Sequence, residues 1–177
     1  SENSADIISV SIAAAVAVST GTVAFSGAGA GSGNIIKGAT YAVVHDATIS
    51  GADAMNVNAH GVASITSVVV GVAVSVAAGT GTGLAFSLGV AVAVNETTGV
   101  SGAITGLPAN PGYVVAARIA DSAVTLTGAL NVHARSDQQI TAVVIAASVA
   151  VAASGGFGLS GAGAGAGAGN KGQARVL

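Results

Sequence analysis

Three stretches of this chain contain no Lys, Arg, Asp or Glu: Ile7–Ile36, Gly61–Asn95 and Gln138–Asn170. Within each, branched apolar residues alternate with small ones. The first sets Val10, Ile12, Val16 and Val18 opposite Ser9, Ser11, Ala13, Ala15, Ala17 and Ser19. The second sets Val68, Val70, Val72, Val74 and Val76 opposite Ser67, Gly71, Ala73, Ser75 and Ala77. The third sets Val143, Ile145, Val149 and Val151 opposite Ala142, Ala146, Ser148, Ala150 and Ala152. Successive side chains of a strand point to opposite faces, so a period of two with β-branched enrichment predicts strands. Alanine alone would favour helix, but stiff branched residues at every second position outweigh it. Gly/Thr/Ser turns follow each run: "STGT", "GTGTG" and "SGG". Beyond each turn a second extended arm begins near a Phe (Phe25, Phe86, Phe157) and ends in an Asn (Asn34, Asn95, Asn170).

The runs are copies of one unit. "ADIISVSIAAAVAVSTG" from Ala5, "ASITSVVVGVAVSVAAG" from Ala63 and "QQITAVVIAASVAVAAS" from Gln138 align without gaps, matching Ile7, Ile65 and Ile140. "DATISGADAMNVNAHGVASI" from Asp46 likewise matches "DSAVTLTGALNVHARSDQQI" from Asp121. The chain reads as one continuous array: repeat 1 over 1–62, repeat 2 over 63–137 with a loop insertion near 96–113, and a partial repeat 3 over 138–177. The insertion holds both prolines, Pro108 and Pro111, as expected of a surface loop. Repeats of this kind bury their apolar surface by stacking on one another. The expected fold is all-β with a repetitive stacked-sheet architecture. A parallel β-solenoid is the first reading, and a β-sandwich-like stack of long strands is the alternative.

Composition excludes several classes. Only 7% of residues are charged, against about 25% in an average domain, yet hydrophobic content is too high for disorder. A formal net charge of −2 offers no basic footprint for nucleic acid. With no Cys, neither a disulfide framework nor a thiolate metal site is available. The chain starts at Ser1 without a visible signal peptide and ends in "NKGQARVL", and both ends look cut from something longer.

Uncharged strands of this length are expected to be buried on both faces. The Ala/Gly/Ser faces, with glycine-alanine runs at Gly27–Gly33 and Gly161–Gly169, call for close approach of a neighbouring sheet. Val10, Val68 and Val143 should form one ladder, and Val16, Val74 and Val149 another. These six, with Ala73 and Ala150 on the small face, are the expected assembly residues, and the expected partners are copies of the chain or flanking repeats.

The run Asp121-Ser-Ala-Val-Thr, then "GALNVHARSDQQITAV", then an Ala/Val block and "GAGAGAGAGN" resembles the repeats of filamentous-haemagglutinin-like giant bacterial surface exoproteins and adhesins. That resemblance spans nearly the whole chain. It implies right-handed parallel β-solenoid coils, export to the cell surface or beyond, and a structural or adhesive role, with host or matrix surfaces as further partners. No catalytic residues carry over from it. The uncharged strands here are longer than a usual solenoid rung.

No recognisable catalytic motif appears. "GAGAGSG" at Gly27 and "GTGTG" at Gly79 lack the Lys-Ser/Thr of a phosphate-binding loop. His45, His60 and His133 lack metal-ligand spacing and do not repeat, and no Gly-x-Ser-x-Gly elbow is present. Asp46 and Asp121 recur at one repeat position and are the weak Ca²⁺ candidates, with turn capping the simpler role. The expectation is therefore a non-enzymatic fibre segment without a cofactor. Two alternatives are a membrane-inserted β-structure and a glycan- or protein-binding module built on the insertion loop.

Overall fold

A computed structural model describes residues 1–99 and 113–177, and those residues fold entirely as strands and turns. The strands are β1 (Glu2–Ser19), β2 (Val23–Lys37), β3 (Ala39–His45), β4 (Thr48–Ala52), β5 (Met55–Gly79), β6 (Gly83–Thr98), β7 (Tyr113–Ala120), β8 (Ala123–Leu126), β9 (Leu130–Ser154), β10 (Gly158–Gly172) and β11 (Ala174–Val176). They form four sheets, ordered β1-β5-β9, β2-β6-β10, β3-β7-β11 and β4-β8. Every recorded pairing is parallel. Each coil of the chain adds one strand to each sheet in turn, which makes the architecture a parallel β-solenoid of stacked coils.

The register follows the sequence alignment. Ile7, Ile65 and Ile140 pair in one row, as do Val10, Val68 and Val143, and Val16, Val74 and Val149. The first long turn is shorter than its successors. Between the rows Ser19–Ala77 and Val23–Leu84 lie only Thr20 to Thr22 in the first coil, but Ala78 to Gly83 in the second. The shift is absorbed entirely in the turn, so both sheets keep unbroken ladders. Phe25 and Phe86 consequently stack, with ring centroids 5.5 Å apart and 13° between planes. Phe157 does not join them, because Phe86 pairs with Gly161 and Phe157 lies in the turn before β10. The repeat boundaries at 62/63 and 137/138 fall inside β5 and β9, so they mark phase in the sequence and not structural joints.

One expectation is overturned. Most branched residues of the long strands, the valine columns among them, point out of the coil and most small ones point in, with Val57, Ile65 and Val69 of β5 as inward exceptions. Ser67, Ala73, Ser75 and Ala77 on β5 are fully buried, whereas Val10 and Val16 on β1 are 63% and 72% exposed. The cause is the matching phase of β6, whose Ala85, Ser87, Gly89, Ala91 and Ala93 are also buried. The two small faces close on each other within one chain. A Cβ on Gly71 would lie 2.5 Å from the carbonyl oxygen of Val90, and one on Gly89 would run into the carbonyl oxygen of Ala147. The close approach read from the small residues is thus real, but its partner is the chain's own second sheet. Burial on both faces does not hold within this chain, since neighbouring coils cover the branched side chains only edge to edge.

Toward the start of the long strands the interior widens. Val57, Ala59, Ala63 and Ile65 of β5 pack with Ile36, Tyr113, Val115 and Ala117. The Tyr113 ring is fully buried and occupies the space left by Gly38 and Gly61, where a Cβ would collide with it. Its hydroxyl accepts a hydrogen bond from Asn3 Nδ2 at 3.3 Å.

Where the β2-β6-β10 sheet ends, an inward amide ladder fixes the stacking. Asn34 Nδ2 donates to Asn95 Oδ1 at 2.8 Å, and Asn95 Nδ2 to Asn170 Oδ1 at 2.9 Å. These are the three asparagines that close the second arm of each repeat.

Candidate functional site

Three surface features collect the residues singled out from the sequence. The broadest is the outer face of the β1-β5-β9 sheet. Ile8, Val10, Ile12, Val16 and Val18 line its first row, and Val143, Ile145, Val149 and Val151 its third, all exposed. Val68, Val70, Val72, Val74 and Val76 fill the row between, in register with both. The six expected assembly valines therefore share this face. Ala73 and Ala150 do not. Ala73 is fully buried and Ala150 packs against the buried Ala24–Ala77–Ala85 cluster, so both belong to the interior of the coil. A lysine at Ala73 would disrupt the fold itself before it could report on any assembly.

Beside the apolar block, at the start of the same sheet, the charges gather. His60 Nε2 lies 2.9 Å from Asp137 Oδ2, and Arg135 Nε donates to the same oxygen at 2.8 Å. His60 Nδ1 faces Glu2 Oε1 at 3.9 Å. The register creates this cluster by placing Glu2, His60 and Arg135 in one row, with Ser4, Val62 and Asp137 in the next outward row. An open, shallow cavity of about 500 Å³ adjoins it, lined by Val62, Ser64, Ser136, Asp137, Gln138 and Gln139. Both ring nitrogens of His60 face carboxylates, which leaves neither one directed at a hydroxyl that it could activate.

Hydrogen bonds from His60 and then Arg135 hold the Asp137 carboxyl below its ordinary value of 3.8. The ionised form is favoured more in the fold than in the unfolded chain. Its contribution is therefore complete above that ordinary value and is lost as pH falls through the lowered native one. Asp137→Asn should lower the urea midpoint slightly near neutral pH and bring it level with wild type at low pH, which gives the variant the shallower acid-side fall; the difference is small because the pair is half-exposed. Urea melts of both proteins across the acidic range check this.

The third feature is the corner between β3 and β4, repeated between β7 and β8. Asp46 and Asp121 occupy it with φ of 53° and 48°, the left-handed region that Asp tolerates better than most residues. Asp46 N–H donates to the Ala120 carbonyl at 3.2 Å, and the Ala47 N–H to Ser122 Oγ at 3.1 Å. Asp121 Oδ2 lies 3.0 Å from His45 Nε2. Both aspartates thus shape turns, and Asp121 also pairs with His45 of the preceding coil. Among the described residues no three His, Asp or Glu side chains converge as a cation site. The remaining histidine, His133, is exposed opposite Asn58.

The glycine-rich segments do not form phosphate loops. Gly27–Gly33 lies within strand β2, and Gly79–Gly83 is the turn between β5 and β6. Most of the insertion, including Pro108 and Pro111, lies outside the described residues. The His60–Asp137 pair went unread in the sequence because its members are 77 positions apart and their neighbours differ in kind.

No protein-family model matches the chain, and no curated protein or solved structure does.

Proposed function

We propose that this chain is a non-catalytic shaft segment of a secreted or cell-surface fibre. Its coils would continue along the stacking axis into flanking repeats or further copies. The observation that carries this reading is the pair of open ladder edges. Among the described residues, β1, β2 and β3 present one unpaired edge, and β9, β10 and β11 the other. An uncovered strand edge is a template for pairing, and charge or proline would normally block it. From Ile7 to Ser19 and from Gln138 to Ser154 those edges carry neither. The asparagine ladder supports the same reading, since each added coil would extend it by one amide hydrogen bond. The likeness of the repeats to giant exoproteins supports export and an adhesive or architectural role.

A membrane-inserted barrel draws no support from these sheets. They are open and parallel, whereas transmembrane barrels close antiparallel strands. A binding module on the insertion has no described geometry to rest on.

Fibre diffraction and electron microscopy of the concentrated chain test the proposal. Rods should form with a reflection at about 4.8 Å along the rod axis, because strands would lie across it. Particles that stay three coils long at every concentration, with no axial growth, would overturn the shaft reading.

A further inference from the structure

We propose that the outer face of the β1-β5-β9 sheet is a lateral docking surface for the same face of a second copy of this chain. The inference rests on the shaft reading and adds a direction of association perpendicular to the shaft. The face is built of columns running along the stacking axis: Val10–Val68–Val143, Ile12–Val70–Ile145, Val16–Val74–Val149 and Val18–Val76–Val151. Between the second and third the column is lower only on the edge strands, at Ala14 and Ala147, and Val72 fills it on the central strand. Eighteen consecutive pairs join β1 to β5 without a bulge, so the columns are continuous.

Three observations select a second copy as the occupant. From Ile8 to Val18, and in the paired rows, the face has no charge, and its hydroxyls lie at Thr66 and Thr141 on one margin. Shape alone is left to carry recognition. Ridges repeat at about 6.7 Å along the strand and about 4.8 Å across it, and the same face of another copy repeats at those spacings by construction. The block measures about 35 Å by about 14 Å, so a face-to-face pair would bury about 1,000 Å², the threshold of a specific interface. The outer face of the β2-β6-β10 sheet does not match this description. There Leu88, Val90, Val92 and Val94 form a single row flanked by Gly27, Gly29, Gly31 and Gly33 on one side and further glycines on the other. At the threshold area three coils should pair weakly, and each added coil should tighten the pair by extending the same columns.

The test uses the whole chain in sedimentation equilibrium, with rod length followed separately by microscopy. Wild type should self-associate laterally. Val70→Lys with Val74→Lys should weaken that association at least tenfold, while Val92→Lys on the opposite sheet should leave it unchanged. Since the chain has no Cys, Val72→Cys provides a unique thiol at the centre of the face and should give a disulfide-linked dimer on oxidation. If the lysine pair fails to fold, judged by circular dichroism, Val70→Thr with Val74→Thr keeps the shape and should still weaken pairing. Association indifferent to these changes, or a face that captures neutral phospholipid vesicles in place of a second copy, overturns the proposal. Rods that still lengthen in that case leave the shaft reading standing. Absence of both lateral and axial association removes both.

Discussion

Replacing Gly89 by alanine should destabilise the protein by about 1–3 kcal/mol, and by valine more, the cost of overpacking a closed interior. The new Cβ would meet the carbonyl oxygen of Ala147, and Gly71 presses on the same region from the facing sheet. Neither obstacle is the end of a flexible side chain. Relief would require the two sheets to separate, which would unseat Ser67, Ala73, Ser75 and Ala77 on one side and Ala85, Ala91 and Ala93 on the other. Gly71→Ala should behave alike, with its Cβ 2.5 Å from the Val90 carbonyl oxygen. Glycines on the outer face give the contrast. A Cβ on Gly29 or Gly165 meets nothing within 4 Å. Alanine there should be neutral or stabilise by up to about 1 kcal/mol, because it restricts the unfolded chain. Urea or thermal melts of the four variants separate inward from outward glycines, and equal effects in both groups would contradict the inside-out arrangement.

The second large effect is expected at Asn95, which is fully buried and holds the middle of the amide ladder. Asn95→Ala removes two side-chain hydrogen bonds at once. Asn170 Oδ1 loses its donor, and Asn34 Nδ2 keeps only its 2.9 Å bond to Ser32 Oγ. Two lost side-chain hydrogen bonds at about 1 kcal/mol each put the expected loss at about 2 kcal/mol, most of it on the buried Asn34 side, since Asn170 is exposed and water replaces its donor. Asn95→Asp should cost at least as much, because a carboxylate in that place cannot donate to Asn170 and would carry a buried charge. Asn56 offers the control. It accepts from Asn131 Nδ2 at 2.8 Å on the exposed surface, where water replaces a lost partner. Asn56→Ala should cost about 0.5 kcal/mol or less. Chemical denaturation of the three variants measures the difference.

The alternation that made these strands legible is local, and so was the pairing. Ile7, Ile65 and Ile140 align by eye and pair in space, because identical repeats stacked in parallel have identical neighbours. What alternation cannot say is which face is inside. The usual assumption puts branched residues there, and it failed for Val10 and Val16. Two small faces meeting at glycine distance exclude water as effectively as two branched ones at ordinary spacing. A signal for this was present in β6, whose Ala85 to Ala93 share the small phase of β5, while the branched positions have glycine neighbours on β2 and β10. The widened pocket around Tyr113 was not legible, since it depends on Gly38 and Gly61, which lie far from Tyr113 in sequence. The His60–Asp137 pair depends on the register of two coils and on a diagonal reach between rows, which no linear motif records.

Parallel in-register stacking of the coils is the central claim, and thiol proximity tests it most directly. Adjacent parallel strands place paired Cα atoms about 4.8 Å apart, within reach of a disulfide or a short bis-alkylating thiol reagent. In this otherwise cysteine-free chain, Val10→Cys with Val68→Cys should crosslink within one molecule, because both residues point outward in the same column. Val10→Cys with Val74→Cys should not, since six residues along the strand separate them by about 20 Å. Efficient intramolecular crosslinking of the second pair, or none of the first under either chemistry, would contradict the stacked-coil fold.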